Sequence, residues 1–255
     1  MTGSRFKLRR VDAEIIVFAI VVAFAAATVQ SVTGFGFSLT LVPLLAVAWE
    51  PKEAVPVSLL LGLATNVALL TQVRGQVTVR RLPGLYLGLL IGVPLGVLFL
   101  EHVDADTLQI TVGVVVFAAT ILLYAQPSID AGHDAFAMRL GAGTMGGALS
   151  AATSMGGPPV VLYLLGREKE IDRYRATLLA YFLPSGVLAV TALVIVGRVD
   201  SDVLTVAGAA LPAVIAGILT GGWLRTHLNP ERFRRAVVGV LIATSISVTV
   251  LAIVG

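Results

Sequence analysis

Two short stretches of the sequence place small and polar residues where the flanking residues are apolar. The first, TGFGFS, covers residues 33–38, and the second, SMGGPP, covers residues 154–159. Glycine permits unusual backbone dihedral angles and a close approach of a ligand to the backbone. Proline suits the first turn of a new helix. The pattern predicts that one helix ends and another begins at each stretch.

A helix that begins inside a membrane presents unpaired N–H groups and the positive end of its dipole to the space in front of it. Hydroxyl groups at the same depth add further hydrogen-bond donors. An anion with several oxygens could therefore be bound there without any Lys or Arg. The candidate substrate-binding residues are Thr33, Gly34, Gly36, Ser38, Asn66, Thr153, Ser154, Gly156, Gly157, Pro158 and Ser185.

Asn66 lies near the centre of the apolar run 54–73, and Ser185 lies in the corresponding run of the second half of the chain. A polar amide at this depth faces either a cavity or a neighbouring helix. Both interpretations of Asn66, as a site residue and as a helix–helix contact, stay open at this point.

The centres of the apolar runs contain no Asp, Glu, Lys, Arg or His, and the chain has no Cys. An intramembrane protease or a metalloenzyme would need paired carboxylates, a nucleophile with its base, or a cluster of metal ligands at depth. We therefore expect no enzymatic activity, no cofactor and no metal site. The lack of a buried acid also argues against proton coupling through a carboxylate relay.

The elements that must position these residues are membrane helices. Of the 255 residues, 57% are hydrophobic and only 13% are charged, against about 25% charged in soluble domains. A bilayer core of about 30 Å requires about 20 helical residues. The uncharged runs cover residues 15–49, 54–73, 82–100, 107–129, 140–166, 176–197, 203–224 and 236–255. They predict an all-α polytopic membrane protein with seven to eight segments, whose partners are the lipid bilayer and a small anion.

The charge distribution does not indicate a nucleic-acid partner. The net charge is only +3, and the basic residues lie in short loops between apolar runs, which is a signature of membrane topology. Basic residues 5–10 followed by an apolar run could also be a secretory signal. Cleavage there would strip the first interrupted stretch of its helix, so we keep the run in the fold.

A weak internal repeat relates the two halves of the sequence. Residues 34–45 align with 154–165 at an offset of 120, and residues 96–108 align with 221–233 at an offset of 125. Chance similarity among Gly- and Leu-rich helices is the alternative. As a repeat, each half would contain one broken segment and three ordinary helices, as in secondary transporters that bind substrate at the repeat interface.

The repeat divides the chain into four regions. These are a basic N-terminal segment (1–13), a first transmembrane repeat (14–125), a connecting loop (126–138) and a second transmembrane repeat (139–255).

The basic loops restrict the topology. Loops 74–81, 167–175 and 225–235 should all face the cytoplasm, which eight simple crossings do not allow. If both broken segments enter and leave on the same face, the halves become inverted repeats and 12 of the 18 basic residues lie inside. If only the second segment is re-entrant, 16 lie inside, but the two related halves then differ. We favour the inverted repeat.

The sequence resembles the sulfite exporter family TauE/SafE, also called the toluene sulfonate uptake permeases. The resemblance rests on TGFGFSLTLVPLL in the first half and SMGGPPVVLYLLGRE in the second, and it covers essentially the full length. It implies a bacterial inner-membrane permease for sulfite, organosulfonates or similar anions. Many members have a longer glycine run in the first motif, so Phe35 and Phe37 here would narrow the site or favour an organic moiety. An anion channel and a non-transporting membrane scaffold are the alternatives.

Overall fold

The computed structural model describes residues 12–125, 135–165, 167–168 and 170–227, without the side chains of residues 74 and 123–125. The predicted last segment (236–255), nearly all of the N-terminal segment and most of the connecting loop lie outside these ranges. Nine α-helices lie within them, and no strand does. The helices are α1 (Ala13–Thr33), α2 (Phe37–Ala48), α3 (Pro51–Val73), α4 (Leu82–His102), α5 (Ala105–Ala125), α6 (Phe136–Thr153), α7 (Gly157–Leu165), α8 (Ile171–Ile195) and α9 (Ser201–His227).

Six of these helices are long and apolar enough to cross a membrane, namely α1, α3, α4, α5, α8 and α9. The expectation of a helical polytopic membrane protein is thus confirmed for the described residues. The 12 residues of α2 and the nine of α7 rise only about 18 Å and about 14 Å. Neither helix is long enough to cross a hydrocarbon core of about 30 Å by itself.

Both predicted helix breaks are present, and they share one geometry. After α1, Gly34 adopts the left-handed conformation (φ 88°) and its N–H donates to the Gln30 carbonyl at 2.7 Å. After α6, Ser154 adopts the same conformation (φ 63°), and its N–H donates to the Ser150 carbonyl at 2.8 Å. A left-handed residue with a Cβ costs about 1–2 kcal/mol, so Ser154 is a strained position that the surrounding structure maintains.

Glycines allow two helix pairs, α4 with α6 and α1 with α9, to pack with their backbones in contact. A Cβ at Gly92 would clash with the Thr144 carbonyl, and a Cβ at Gly217 would clash with the Phe24 carbonyl. Small residues at such positions are the usual means of close packing between membrane helices. In each pair, residues with higher numbers on one helix contact residues with higher numbers on the other. The helix α4 therefore runs parallel to α6, and α1 runs parallel to α9.

The described parts of the three basic loops lie together at one end of the bundle. Arg81 Nε donates to Glu168 Oε1 at 2.7 Å, Arg225 Nη2 donates to Asp172 Oδ1 at 3.1 Å, and Thr78 N donates to Thr177 Oγ1 at 3.1 Å. We call this end, formed by 74–81, the described part of 167–175 and Arg225, the basic end.

The opposite end of the bundle is rich in carboxylates. Arg198 Nε donates to Glu101 Oε1 at 2.5 Å and so joins the end of α4 to the start of α9. Glu53 is near enough to Glu50, Asp200 and Asp202 to interact electrostatically with each of them. We call this end, formed by 50–53, 101–106 and 198–202, the acidic end.

The loop at residues 166–175 is shorter than its charge content indicates. The sequence predicts a cytoplasmic loop over residues 167–175, but α8 already begins at Ile171. Arg175 is only 4% exposed, because the continuing helix turns this position towards the interior, where its side chain packs against Gly34.

Candidate functional site

The two helix breaks meet at a cavity between α1, α2, α3, α6, α7 and α8. The volume open to the centres of water molecules is about 60 Å³, and a single water needs about 10–15 Å³ of such space. The cavity therefore has room for a small oxyanion or a few waters. Its lining consists of Gln30, residues 35–39, Ser58, Leu59, Gly62, Leu63, Asn66, Ser150, residues 154–157, Phe182, Ser185 and Gly186. We call it the central cavity.

Three hydroxyl groups form a connected chain on one wall of the central cavity. Ser38 Oγ lies 2.9 Å from Ser154 Oγ, and Ser154 Oγ donates to Ser58 Oγ at 3.0 Å. The chain joins the first turn of α2 to the second break and to α3. Hydroxyl groups both donate and accept, so this wall can reorient its protons towards a bound anion.

Two further side-chain pairs line the central cavity, one beside each break. Gln30 Nε2 donates to Asn66 Oδ1 at 2.7 Å and connects α1 to α3. Ser185 Oγ donates to Ser150 Oγ at 3.0 Å and connects α6 to α8. The Asn66 oxygen accepts this bond, and the two N–H groups of its amide can donate to a ligand.

The first turn of α2 supplies backbone donors. The helix begins at Phe37, and its first internal bond runs from Thr40 N to the Gly36 carbonyl at 3.1 Å. The N–H groups of residues 37–39 therefore have no acceptor within the helix, and all three residues line the cavity. The dipole places roughly half a positive charge at this end. The first turn of α7 likewise reaches the cavity at Gly157.

Aromatic rings form an apolar part of the cavity wall. The Phe37 ring lies beside Gly62, and the Phe182 ring lies beside Gly157. Hydrogen bonds are electrostatically stronger in such an apolar setting than in water. None of the described residues that line the cavity is ionisable, so its lining offers an anion only the dipole of the α2 terminus and neutral N–H and O–H groups.

Comparison with known proteins identifies the family. The family model described as "Sulfite exporter TauE/SafE" matches residues 19–248. The chain belongs to the TauE/SafE sulfite exporter family.

Two curated relatives agree with the family assignment. The "Probable sulfite/organosulfonate exporter TauE" of Cupriavidus necator is 26% identical over 230 residues, which cover 88% of this chain and 90% of the relative. The "Probable inner membrane transporter protein TsaS" of Comamonas testosteroni is 30% identical over 104 residues, which cover 40% and 44% of the two chains. No solved structure matches the chain.

The resemblance inferred from the two motifs is thus confirmed. The family and both relatives are named as transporters or exporters, and the six apolar helices agree with these names. This TauE/SafE chain is a multi-pass inner-membrane transporter and not an enzyme. No cluster of three or more Asp, Glu or His side chains that could hold a metal occurs among its described residues.

Seven of the eleven predicted site residues line the central cavity of this TauE/SafE protein. They are Gly36, Ser38, Asn66, Ser154, Gly156, Gly157 and Ser185. The remaining four, Thr33, Gly34, Thr153 and Pro158, are not part of its lining.

The four residues outside the lining have structural positions at the breaks. Thr33 Oγ1 donates to the Val29 carbonyl at 2.9 Å, and Thr153 Oγ1 donates to the Leu149 carbonyl at 2.8 Å. Each hydroxyl also accepts a backbone N–H of the break that follows it, from Phe35 at Thr33 and from Met155 at Thr153, both at 3.3 Å. Gly34 packs against the Arg175 side chain, and Pro158 occupies the first turn of α7.

Three polar lining residues were missing from the candidate set: Gln30, Ser58 and Ser150. Ser58 precedes Asn66 by eight residues with Gly62 between them, and residues spaced by four share one helix face. Gln30 and Ser150 correspond at the offset of 120. The spacing and the offset can both be read from the sequence. Each of them points to the cavity only if one residue of the pair is already known to face it.

Proposed function

We propose that this transporter moves a small sulfur-containing anion, such as sulfite or an organosulfonate, across the inner membrane by alternating access. One observation carries the proposal: the first turn of α2 and the second break meet at Ser38 and Ser154 in a cavity lined by neutral donors. The name of the Cupriavidus necator relative, "Probable sulfite/organosulfonate exporter TauE", supports the choice of anion.

The anion would be held by three groups of donors. The hydroxyls of Ser38, Ser58 and Ser154 lie on one wall, the N–H groups of residues 37–39 form the helix terminus, and the Asn66 amide completes the set. Hydrogen bonds to an ionised acceptor are about twice as strong as neutral ones. Neutral donors also let the anion leave the cavity again, because no charged side chain lines it.

We further propose that residues 14–125 and 139–255 form inverted repeats, which would provide the two states of alternating access. The helix pairs α4–α6 and α1–α9 pack in the same way, which supports this proposal. Gly96 and Gly221, 125 positions apart, contact the carbonyls of Ala148 and Thr28, which are 120 positions apart. The same pair of offsets aligned the two halves of the sequence.

The directions of the helices also support inversion. α1 runs parallel to α9, which starts at the acidic end, and α2 leads back into α3 at that end. α6 runs parallel to α4, which starts at the basic end, and α7 leads back into α8 there. On this basis the α1–α2 segment would enter from one face of the membrane and the α6–α7 segment from the other.

Sulfite flux in proteoliposomes tests the proposed function. We expect uptake that saturates with sulfite concentration and that falls at least about tenfold in Ser38→Ala and Ser154→Ala, since each change removes a hydrogen bond to a charged group. Thr120→Val is the matched control, because it removes a buried hydroxyl of α5 that bonds to the Val116 carbonyl outside the cavity. Equal flux in all three variants would contradict the proposed site.

The same preparation discriminates between the alternatives. Flux that fails to saturate, together with single-channel currents, would indicate an anion channel. A purified protein that binds no anion and co-purifies with one partner would indicate a membrane scaffold.

A further inference from the structure

Arg175 is a buried cation beside the first helix break, outside the lining of the central cavity. Its residue is 4% exposed, and Nη2 donates to the Ser31 carbonyl at 2.6 Å. Nε and Nη1 are also buried and have no hydrogen-bond partner within the described part of the chain. These two nitrogens carry three of the five N–H donors of a guanidinium group.

The carboxylate that is nearest to Arg175 along its own helix is engaged elsewhere. Asp172 Oδ1 accepts from Arg225 Nη2 at 3.1 Å at the basic end. None of the ion pairs found among the described residues includes Arg175. A buried charge is stable only where it is paired and its donors are satisfied. Within the described residues, no carboxylate forms a direct ion pair with this guanidinium.

The position of Arg175 places it between the central cavity and the basic end. Its side chain packs against Gly34, and the neighbouring Phe35 and Gly36 line the cavity. It lies just over one turn into α8, whose start belongs to the basic end. At the offset of 120 the position equivalent to Arg175 is Val55, so the feature has no counterpart at the second break.

We propose that Arg175 forms a second anion-binding position, at which the transported oxyanion stops between the central cavity and the basic end. The inference rests on the proposed function, since the anion that passes here is the one bound in the cavity. The anion supplies a directly paired counter-charge and accepts from Nε or Nη1. An arginine suits this task because its donors match the geometry of oxyanions and its charge persists when buried.

A purely structural role makes a different prediction. Arg175 also bonds to a carbonyl in the last turn of α1, as a cation near a helix C-terminus can. That role needs one donor and involves neither Nε nor Nη1. Arg175→Gln retains a donor for the Ser31 carbonyl and removes the charge, so it separates the two roles.

The experiment counts radiolabelled sulfite bound per chain in anaerobic, detergent-purified protein, with thermal unfolding measured on the same samples. We expect two sulfite ions per chain in the wild type and one in Arg175→Gln. Sulfite affinity at the second position should fall by at least about tenfold. Arg175→Lys should keep both positions, because it keeps the positive charge.

Arg173→Gln is the matched control. It removes a charge two residues away, from an exposed side chain already paired with Glu170 at 2.8 Å. Its sulfite binding should equal that of the wild type. If Arg173→Gln lost as much bound sulfite as Arg175→Gln, the overall positive charge of the basic end would attract the anion, and Arg175 would not form a specific position.

The stoichiometry of the wild type does not depend on the folding of any variant. A single sulfite per chain that is lost in Ser154→Ala and kept in Arg175→Gln would overturn the second position and leave the proposed function intact. A single sulfite lost in Arg175→Gln and kept in Ser154→Ala would overturn the cavity site instead. No bound sulfite would overturn both.

Discussion

The hydroxyl oxygens of Ser38 and Ser154 lie 2.9 Å apart, although 116 positions separate the two residues in the chain. One belongs to the first turn of α2, and the other is the left-handed residue that ends α6. The contact brings the two interrupted stretches of the sequence into one site. An anion between them would contact both halves of the protein, so its binding would couple any movement of one half to the other.

Two substitutions at Ser154 separate its backbone role from its side-chain role. Ser154→Ala and Ser154→Gly both remove the hydroxyl that bonds Ser38 and Ser58, so both should weaken sulfite binding to a similar extent. Only glycine relieves the left-handed backbone (φ 63°). We expect Ser154→Gly to be more stable than Ser154→Ala by about 1 kcal/mol. Thermal unfolding with and without sulfite measures both effects, and equal stability would contradict the strained conformation.

A negative charge at position 66 should weaken sulfite binding more than loss of the side chain does. Asn66→Ala removes one donor and should weaken sulfite binding by roughly tenfold. Asn66→Asp keeps the size and can still accept from Gln30 Nε2, but it places a carboxylate against the anion. We expect Asn66→Asp to abolish sulfite-dependent stabilisation in a thermal-shift assay. Residual stabilisation equal to that of Asn66→Ala would place Asn66 away from the anion.

Two glycines on α9 should tolerate a methyl group very differently. A Cβ at Gly217 meets the Phe24 carbonyl at 2.5 Å, whereas a Cβ at Gly208 meets nothing within 4 Å. Gly217→Ala should therefore lower the free energy of unfolding by about 1–3 kcal/mol through overpacking. Gly208→Ala should raise it by up to about 1 kcal/mol through helix propensity. The thermal unfolding midpoints of the two variants check this, and a similar change in both would contradict the backbone contact between α1 and α9.

Cysteines can test the contact between the two breaks directly, because the chain has no native Cys. The 2.9 Å between the two hydroxyl oxygens suits replacement by a disulfide, whose sulfur atoms lie about 2.05 Å apart. We expect Ser38→Cys/Ser154→Cys to cross-link under mild oxidation, before sulfite is added.

Proteolytic fragments separated on a gel with and without reductant would detect this cross-link. Each single-cysteine variant is the control and should give unlinked fragments. An unlinked double variant would show that the two breaks do not meet in the membrane.

The sequence by itself determined the positions of the six described spans and of both breaks, since hydropathy, glycine and proline act over a few residues. Gly34 and Gly36 bracket the first break, and Ser154 and Gly157 bracket the second, as the local pattern predicts. Family membership followed from the same stretches, and the family model confirms it.

Only the tertiary structure decided which face of each helix meets the cavity. Hydropathy is nearly uniform around these helices, so the sequence gives no direction to Ser58, Ser150 or Gln30, and their roles depend on partners 35 to 96 positions away. Arg175 is the clearest case. Its charged surroundings in the sequence predict exposure to solvent. Its burial follows from the approach of Gly34, a residue without a side chain in the break that follows α1.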